Sequence, residues 1–192
     1  MDTKTRLVET TKRLLWRQGY GATGLNQIIS ESKTPRGSIY FHFPGGKEEM
    51  AVAALRDAGD AMSNAMRRNF ARRGLRDGLR GWVRAFARMM RESDWQEGCP
   101  LATVTLEAAA LSEPIREVCD AAFSEWRAIF AAEMESEGIS PERAKSLATT
   151  MLSAIEGALI LSRAARDVAP MTAVTDELLA LLDRESSTAA KR

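Results

Sequence analysis

The 192-residue chain has little of what most enzymes are built from. It contains one histidine, His42, and two cysteines, Cys99 and Cys119. Two cysteines make no disulfide framework, and lone free cysteines usually pack as small core hydrophobes. No set of His, Cys, Asp and Glu has the spacing of metal ligands. A hydrolase with a Ser–His or Cys–His pair would have to use His42, which stands beside Tyr40 and Phe41 in a short helical segment. No catalytic constellation remains, so neither an enzyme nor a cofactor is expected. Strand-like alternation and internal repeats are missing as well. No uninterrupted apolar run reaches the ~18 residues that span a bilayer, and no signal-peptide pattern opens the chain. A cytoplasmic protein without a membrane partner is the expectation.

What the chain does have is helix. Hydrophobic residues make up 45%, ample for a packed core, and their spacing is helical from Thr3 to near Ser186. The fold class is therefore all-α, with about nine helices. The formal net charge of +1 hides an asymmetry. Residues 1–47 hold eight lysines and arginines against three acids, a net of +5, so the rest of the chain carries −4. A basic end on a mildly acidic body suits a polyanion held at one end only.

Within that basic end, residues 24–47 read GLNQIISESKTPRGSIYFHFPGGK. Leu25, Ile28 and Ile29 form one helical stripe. Thr34 followed by Pro35 signals a second start: threonine caps free N–H groups, and proline suits the first helical position. Ile39 and Phe43, four apart, give the second helix one inward face, and Pro44-Gly45-Gly46 stops it. Helices this short are marginal alone, so they need a first helix over about Thr3–Gln18 as a lid. Three small helices with one presented outward is the helix-turn-helix plan, whose second helix enters the DNA major groove. Gly19-Tyr20-Gly21-Ala22-Thr23-Gly24 also spells the dinucleotide fingerprint. That motif must follow a strand, whereas this one follows a helix, so the glycines turn the chain between helices 1 and 2.

These residues resemble the N-terminus of TetR-type transcriptional regulators over about Leu7 to Met50. The resemblance rests on Gly19-Tyr20, Thr23, the run Pro35-Arg36-Gly37-Ser38-Ile39-Tyr40, then Phe43-Pro44 and Lys47. Pro44-Gly45-Gly46-Lys47, with Gly98-Cys99-Pro100-Leu101 and Ser112-Glu113-Pro114, is most similar to the LmrA/YxaF-type branch. It implies a helix-turn-helix DNA-binding domain over 1–46 and a helical ligand-binding and dimerisation domain over 47–192. It also implies a homodimeric repressor that a small hydrophobic, largely aromatic effector releases from an inverted-repeat operator. A helical DNA-binding protein with no effector is the alternative.

The expected DNA-binding residues are Thr23, Thr34, Arg36, Gly37, Ser38, Tyr40, Phe41, His42 and Lys47. Thr34 should cap the recognition helix. Arg36 and Ser38 should read bases, since arginine grips guanine O6 and N7. Tyr40, His42, Thr23 and Lys47 should hold phosphates. Phe41 stands where the family commonly has a polar residue; it either meets a thymine methyl or turns inward. Asn26 replaces a frequent arginine, so helix 2 has no evident base reader.

Further on, a fourth helix runs from Lys47 to about Phe70 and breaks at Arg73-Gly74. The next spans roughly Leu75 to Glu92. Others cover about 100–111, 114–137, 141–167 and 171–184, and the tail from Ser186 should fray. An apolar cavity among these helices would use aromatics and methionines, which suit flat hydrophobic ligands. Trp82, Phe86, Met89, Trp126, Phe130 and Met151 are the candidates, with Glu107 or Glu156 either orienting a donor or meeting an arginine such as Arg163. Plain core packing takes most of this set. The arginines Arg67, Arg68, Arg72, Arg73 and Arg76 read as a solvated tip. From Leu147 to Leu161 nearly every position is apolar or small, so that helix is buried on more than one side. With the last helix it should form a dimer interface containing Leu159 and Leu178.

Overall fold

The structure, a computed structural model, describes residues 2–189, with side chains through Ser186. Eight helices and no strand are found among them: α1 (Thr3–Ala22), α2 (Leu25–Ser32), α3 (Arg36–His42), α4 (Gly46–Glu92), α5 (Pro100–Ala108), α6 (Glu113–Ser136), α7 (Pro141–Ala165) and α8 (Ala169–Ala189). The all-α class is as expected. The count is one lower because α4 continues past Gly74, where the backbone turns to φ 72° and then resumes. Its parts, 46–73 and 75–92, correspond to the two helices read from the sequence. Ser186 lies inside α8, and residues 190–192, where fraying was expected, lie outside the described residues.

Packing divides the chain into two units. The first holds the residues up to Ala61 together with Cys99–Ala122. Asp2 starts α1 by accepting from Thr5 N at 2.8 Å. The core of this unit is Leu7, Leu14, Ile28, Ile39, Phe43 and Met50, with Leu25 and Ile29 half-buried against it. The two short helices thus bury the inward residues that their spacing indicated. Lys33, at φ 53°, closes α2 in the left-handed conformation and turns the chain into α3. Against α1 packs α5, whose first turn is capped by the Cys99 sulfur and carries Pro100 at its start.

The second unit holds Met62–Gly98 and the chain from Phe123 onward. Its core is aromatic. Phe130 lies 5.7 Å from Phe70 and 5.6 Å from Trp82, and Trp82 meets Phe86 edge-on at 5.2 Å. Phe70 packs where a Cβ on Gly78 would stand, so that glycine lets the two parts of α4 close together. Arg76 then ties α4 to α8 and to the residue that follows α6. It donates to Asp183 at 2.7 Å and Ser186 at 2.8 Å on α8, and pairs with Glu137 beyond α6. The expected solvated tip is thus partly structural, since Arg67 also pairs with Glu125.

By length and averaged hydropathy, α7 is the one described helix that could cross a membrane. Its buried residues, among them Leu147, Met151, Leu152 and Ile155, pack inside the second unit. Its outward face still keeps Ile160 and Leu161, at 56% and 59% exposed.

Phe43 is 2% exposed and closes the core beneath α3. Phe43→Ala should cost about 3–5 kcal/mol, as large-to-small aromatic substitutions in cores do, read as a drop in thermal midpoint. A shift within error would mean that α3 is held by something other than this ring.

Candidate nucleic-acid interface

Only seven residues long, α3 begins directly after a tight turn. Its N-cap is Pro35, and no side chain caps it. This corrects the role given to Thr34, which is buried, its hydroxyl 2.7 Å from that of Ser32. The pair joins the end of α2 to the turn before α3.

Burial of Ile39 and Phe43 fixes which face α3 shows. Arg36, Gly37, Tyr40 and Phe41 are exposed, while Ser38 and His42 are half-buried. Phe41 is 81% exposed and does not turn inward. Its ring meets the edge of His42 at 4.9 Å, so the two aromatics form one ridge. Neither Arg36 nor Lys33, which flank the turn, has a carboxylate partner among the described ion pairs. Lys12 and Arg13, by contrast, are engaged with Glu9, Asp57 and Glu31. Arg36 and Lys33 thus belong, with Lys4, Arg6 and Arg17, to the cations of this segment outside the described ion pairs.

Two residues expected to hold phosphates are less open to solvent. Thr23 is fully buried, and its hydroxyl donates to Gly19 O at 2.6 Å. It shapes the α1–α2 turn and does not face solvent. Gly19, at φ 75°, kinks the backbone inside α1, one turn before that helix ends. Lys47 is half-buried, its ammonium 4.0 Å over the Tyr20 ring. Burial lowers the Lys47 pKa below the ordinary lysine value, and the nearby Glu107 charge opposes that shift.

Glu107 stands apart from the other residues expected at an effector site. It belongs to the first unit, where its carboxylate accepts from Gly21 N at 2.8 Å. Sequence reasoning missed this role. The only available signal was the glycine-rich turn itself, which needs a partner for its free N–H groups. Trp82, Phe86, Trp126, Phe130 and Met151 are buried in the second unit, and Met89 and Glu156 are half-buried. Two surface grooves of that unit, each about 440 Å³, are lined by other residues. One holds Ala65, Arg68, Asn69 and Arg72; the other holds Arg127, Ala128, Ala131 and Lys145. Leu159 and Leu178 are buried within the chain, whereas Ile160 and Leu161 are exposed. Both cysteines are buried, and burial raises the Cys119 thiol pKa. No metal-holding group of His, Cys, Asp and Glu occurs among the described residues.

Comparison with known proteins now bears on this geometry. The model of bacterial regulatory proteins of the tetR family matches residues 7–54, and that of the LmrA/YxaF-like regulator C-terminal domain matches 76–177. The chain belongs to the TetR family, in its LmrA/YxaF-like branch. It is 34% identical to the HTH-type transcriptional regulator LmrA of Bacillus subtilis, over 95% of this chain and 98% of that protein. It is 32% identical to the uncharacterised regulator YxaF of the same species, over 96% and 97%. The fold is shared with a TetR transcriptional regulator from Legionella pneumophila, at TM-score 0.83 and 21% identity over 93% and 96% of the two chains. This TetR-family protein is a DNA-binding transcriptional regulator, with the helix-turn-helix formed by α2 and α3.

Proposed function

We propose that the protein is a homodimeric cytoplasmic repressor, released from an inverted-repeat operator by a small hydrophobic effector. The observation that carries the DNA half of this reading is the exposed face of α3. It offers one unpaired guanidinium, Arg36, beside an apolar ridge of Phe41 and His42. Arg36 suits guanine and Phe41 suits a thymine methyl. Ser38 and Gly37 allow close approach to the groove, and Tyr40 and His42 flank it for phosphates. Lys47 joins them by leaning away from the Tyr20 ring. Residues 1–46 form the reading domain, and 47–192 supply effector binding and dimerisation.

Dimerisation through α7 and α8 is supported by the outward face of α7. Ile160 and Leu161 are exposed there beside the small residues Ser153 and Gly157. Leu159 and Leu178 support that face from beneath. The effector reading is supported by the aromatic and methionine content of the second unit, with Glu156 as the polar group at its edge. A ligand there would release DNA only by preferring the non-binding conformation, by ~1–3 kcal/mol for a typical coupling.

Three outcomes test this. Arg36→Ala should cost about 1–3 kcal/mol on the selected operator and relax preference at one base position, measured by binding to a panel of single-base variants. Equal losses across all variants would remove Arg36 from base reading. Leu161→Arg should yield folded monomers that no longer bind the palindrome, because the interface should bury well over ~1,000 Å². Sedimentation showing an intact dimer would move the interface elsewhere. Screening hydrophobic compounds by thermal shift, with and without operator, should reveal a ligand whose affinity falls when DNA is bound. A ligand bound equally well in both states would refute release by coupling.

A further inference from the structure

The arginines Arg67, Arg68, Arg72, Arg73 and Arg76 fall into two groups. Arg67 pairs with Glu125, and Arg76 with Glu137 and Asp183. Arg68, Arg72 and Arg73 are exposed and have no carboxylate partner among the described ion pairs. The next acid along the chain, Asp77, is taken by Arg80. These three arginines line one surface groove of about 440 Å³ within the second unit, together with Ala65, Asn69 and Ala71. No acid is among its lining residues, so its positive charge is uncompensated. The groove lies beside the bend of α4, where Gly74 takes its left-handed step at φ 72°. Across that bend the two parts of the helix meet through glycines. The Asn69 amide donates to Gly78 O at 2.6 Å, and a Cβ on Gly81 would stand 3.0 Å from Arg73 Nη1. The Arg73 guanidinium is thereby brought against the second part of α4, while Arg68 and Arg72, four apart, share a face of the first.

Like charges four apart destabilise a helix unless something neutralises them. Each guanidinium presents a planar fork of donors that matches the oxygens of a carboxylate or phosphate two at a time, and it stays charged at any physiological pH. The groove volume falls in the range of small-molecule sites. Its other residues are two alanines and an amide, so it offers little surface to a flat apolar molecule. We propose that this groove is a binding site for a small multivalent anion, a di- or polyphosphate or a polycarboxylate, gripped by Arg68, Arg72 and Arg73. Through Arg73 the bound anion joins the two parts of α4 across the bend. This goes beyond the operator and effector reading above: the ligand is opposite in character to a hydrophobic effector, and the site stands whether or not that reading does.

The test uses the full-length protein without DNA. Inorganic pyrophosphate and citrate serve as separate probes, titrated by calorimetry at about 0.05 M salt, where exposed charges are little screened. The wild type should bind at least one of them. A preference for pyrophosphate assigns a phosphorylated ligand, and a preference for citrate assigns a polycarboxylate. Arg68→Gln and Arg72→Gln each remove an exposed charge that has no partner in the chain, so the ligand-free thermal midpoint should stay in place. Each should weaken binding of the preferred probe about tenfold, the scale of one charge-assisted contact. Arg73→Gln carries the same expectation, which keeps the test open if one of the others folds poorly. Two controls remove an equal charge elsewhere: Arg88→Gln from the exposed surface of α4 outside the groove, and Arg36→Gln from α3. Both should bind the probe as the wild type does. Absence of binding by the wild type overturns the proposal. So does an equal loss in Arg88→Gln, which diffuse surface charge would give, or a loss confined to Arg36→Gln, which would place the anion on the reading head. Groove variants that bind as tightly as the wild type overturn it as well.

Discussion

A recognition helix of seven residues cannot hold its own shape in water, because isolated helices of this length gain too few hydrogen bonds to offset nucleation. Its existence depends on tertiary burial, and here that burial comes from two side chains, Ile39 and Phe43. They enter a core shared by Leu7, Leu14, Ile28 and Met50, so α1, α2 and the start of α4 all support α3. The same burial determines function. Residues four apart must face inward together, and this leaves Arg36, Gly37, Tyr40 and Phe41 facing out. Packing and the face offered to a partner are thus two sides of a single helical register.

Much of this was legible in the sequence. Apolar stripes gave the helices, and the break expected at Arg73-Gly74 falls at Gly74, where only a left-handed step interrupts α4. The inward pair of α3 and the turn around Lys33 followed from spacing and from the Thr34-Pro35 signal. What spacing could not give was the destination of polar side chains. Thr34 and Pro35 announced a helix start, yet Thr34 is drawn into a hydroxyl pair with Ser32 and Pro35 is itself the cap. A cap signal marks the place of a helix end more reliably than it assigns the atom that satisfies it.

Glu107 shows the same limit at longer range. For the carboxylate of Glu107, set in an apolar stretch, the sequence offered either a ligand or an arginine as partner, yet in the fold the residue is exposed. The partner is instead a backbone N–H 86 positions away, at Gly21. Backbone groups carry no sequence signature, so such a contact cannot be read from residue types. Likewise, Leu159 and Leu178 were identifiable as apolar, but which of two nearby leucines faces inward depends on two steps of helical phase, about 200°. Leu159 is buried and Leu161 is not.

The reading head also shows how a basic segment avoids being merely sticky. Of its eight cations, Lys12 and Arg13 are held by acids of α1, α2 and α4, and Lys47 lies over an aromatic face. Neutralising part of the charge leaves the net field that draws in a polyanion, while Arg36 stays exposed at the start of α3. Affinity from phosphates grows with every exposed lysine, but discrimination does not. A regulator that must leave most of a genome unoccupied therefore gains from carrying cations that are already engaged by its own chain. In this protein the partners that hold those cations also shape the helices and turns of the head, so restraint of charge and rigidity of the reading surface come from the same contacts.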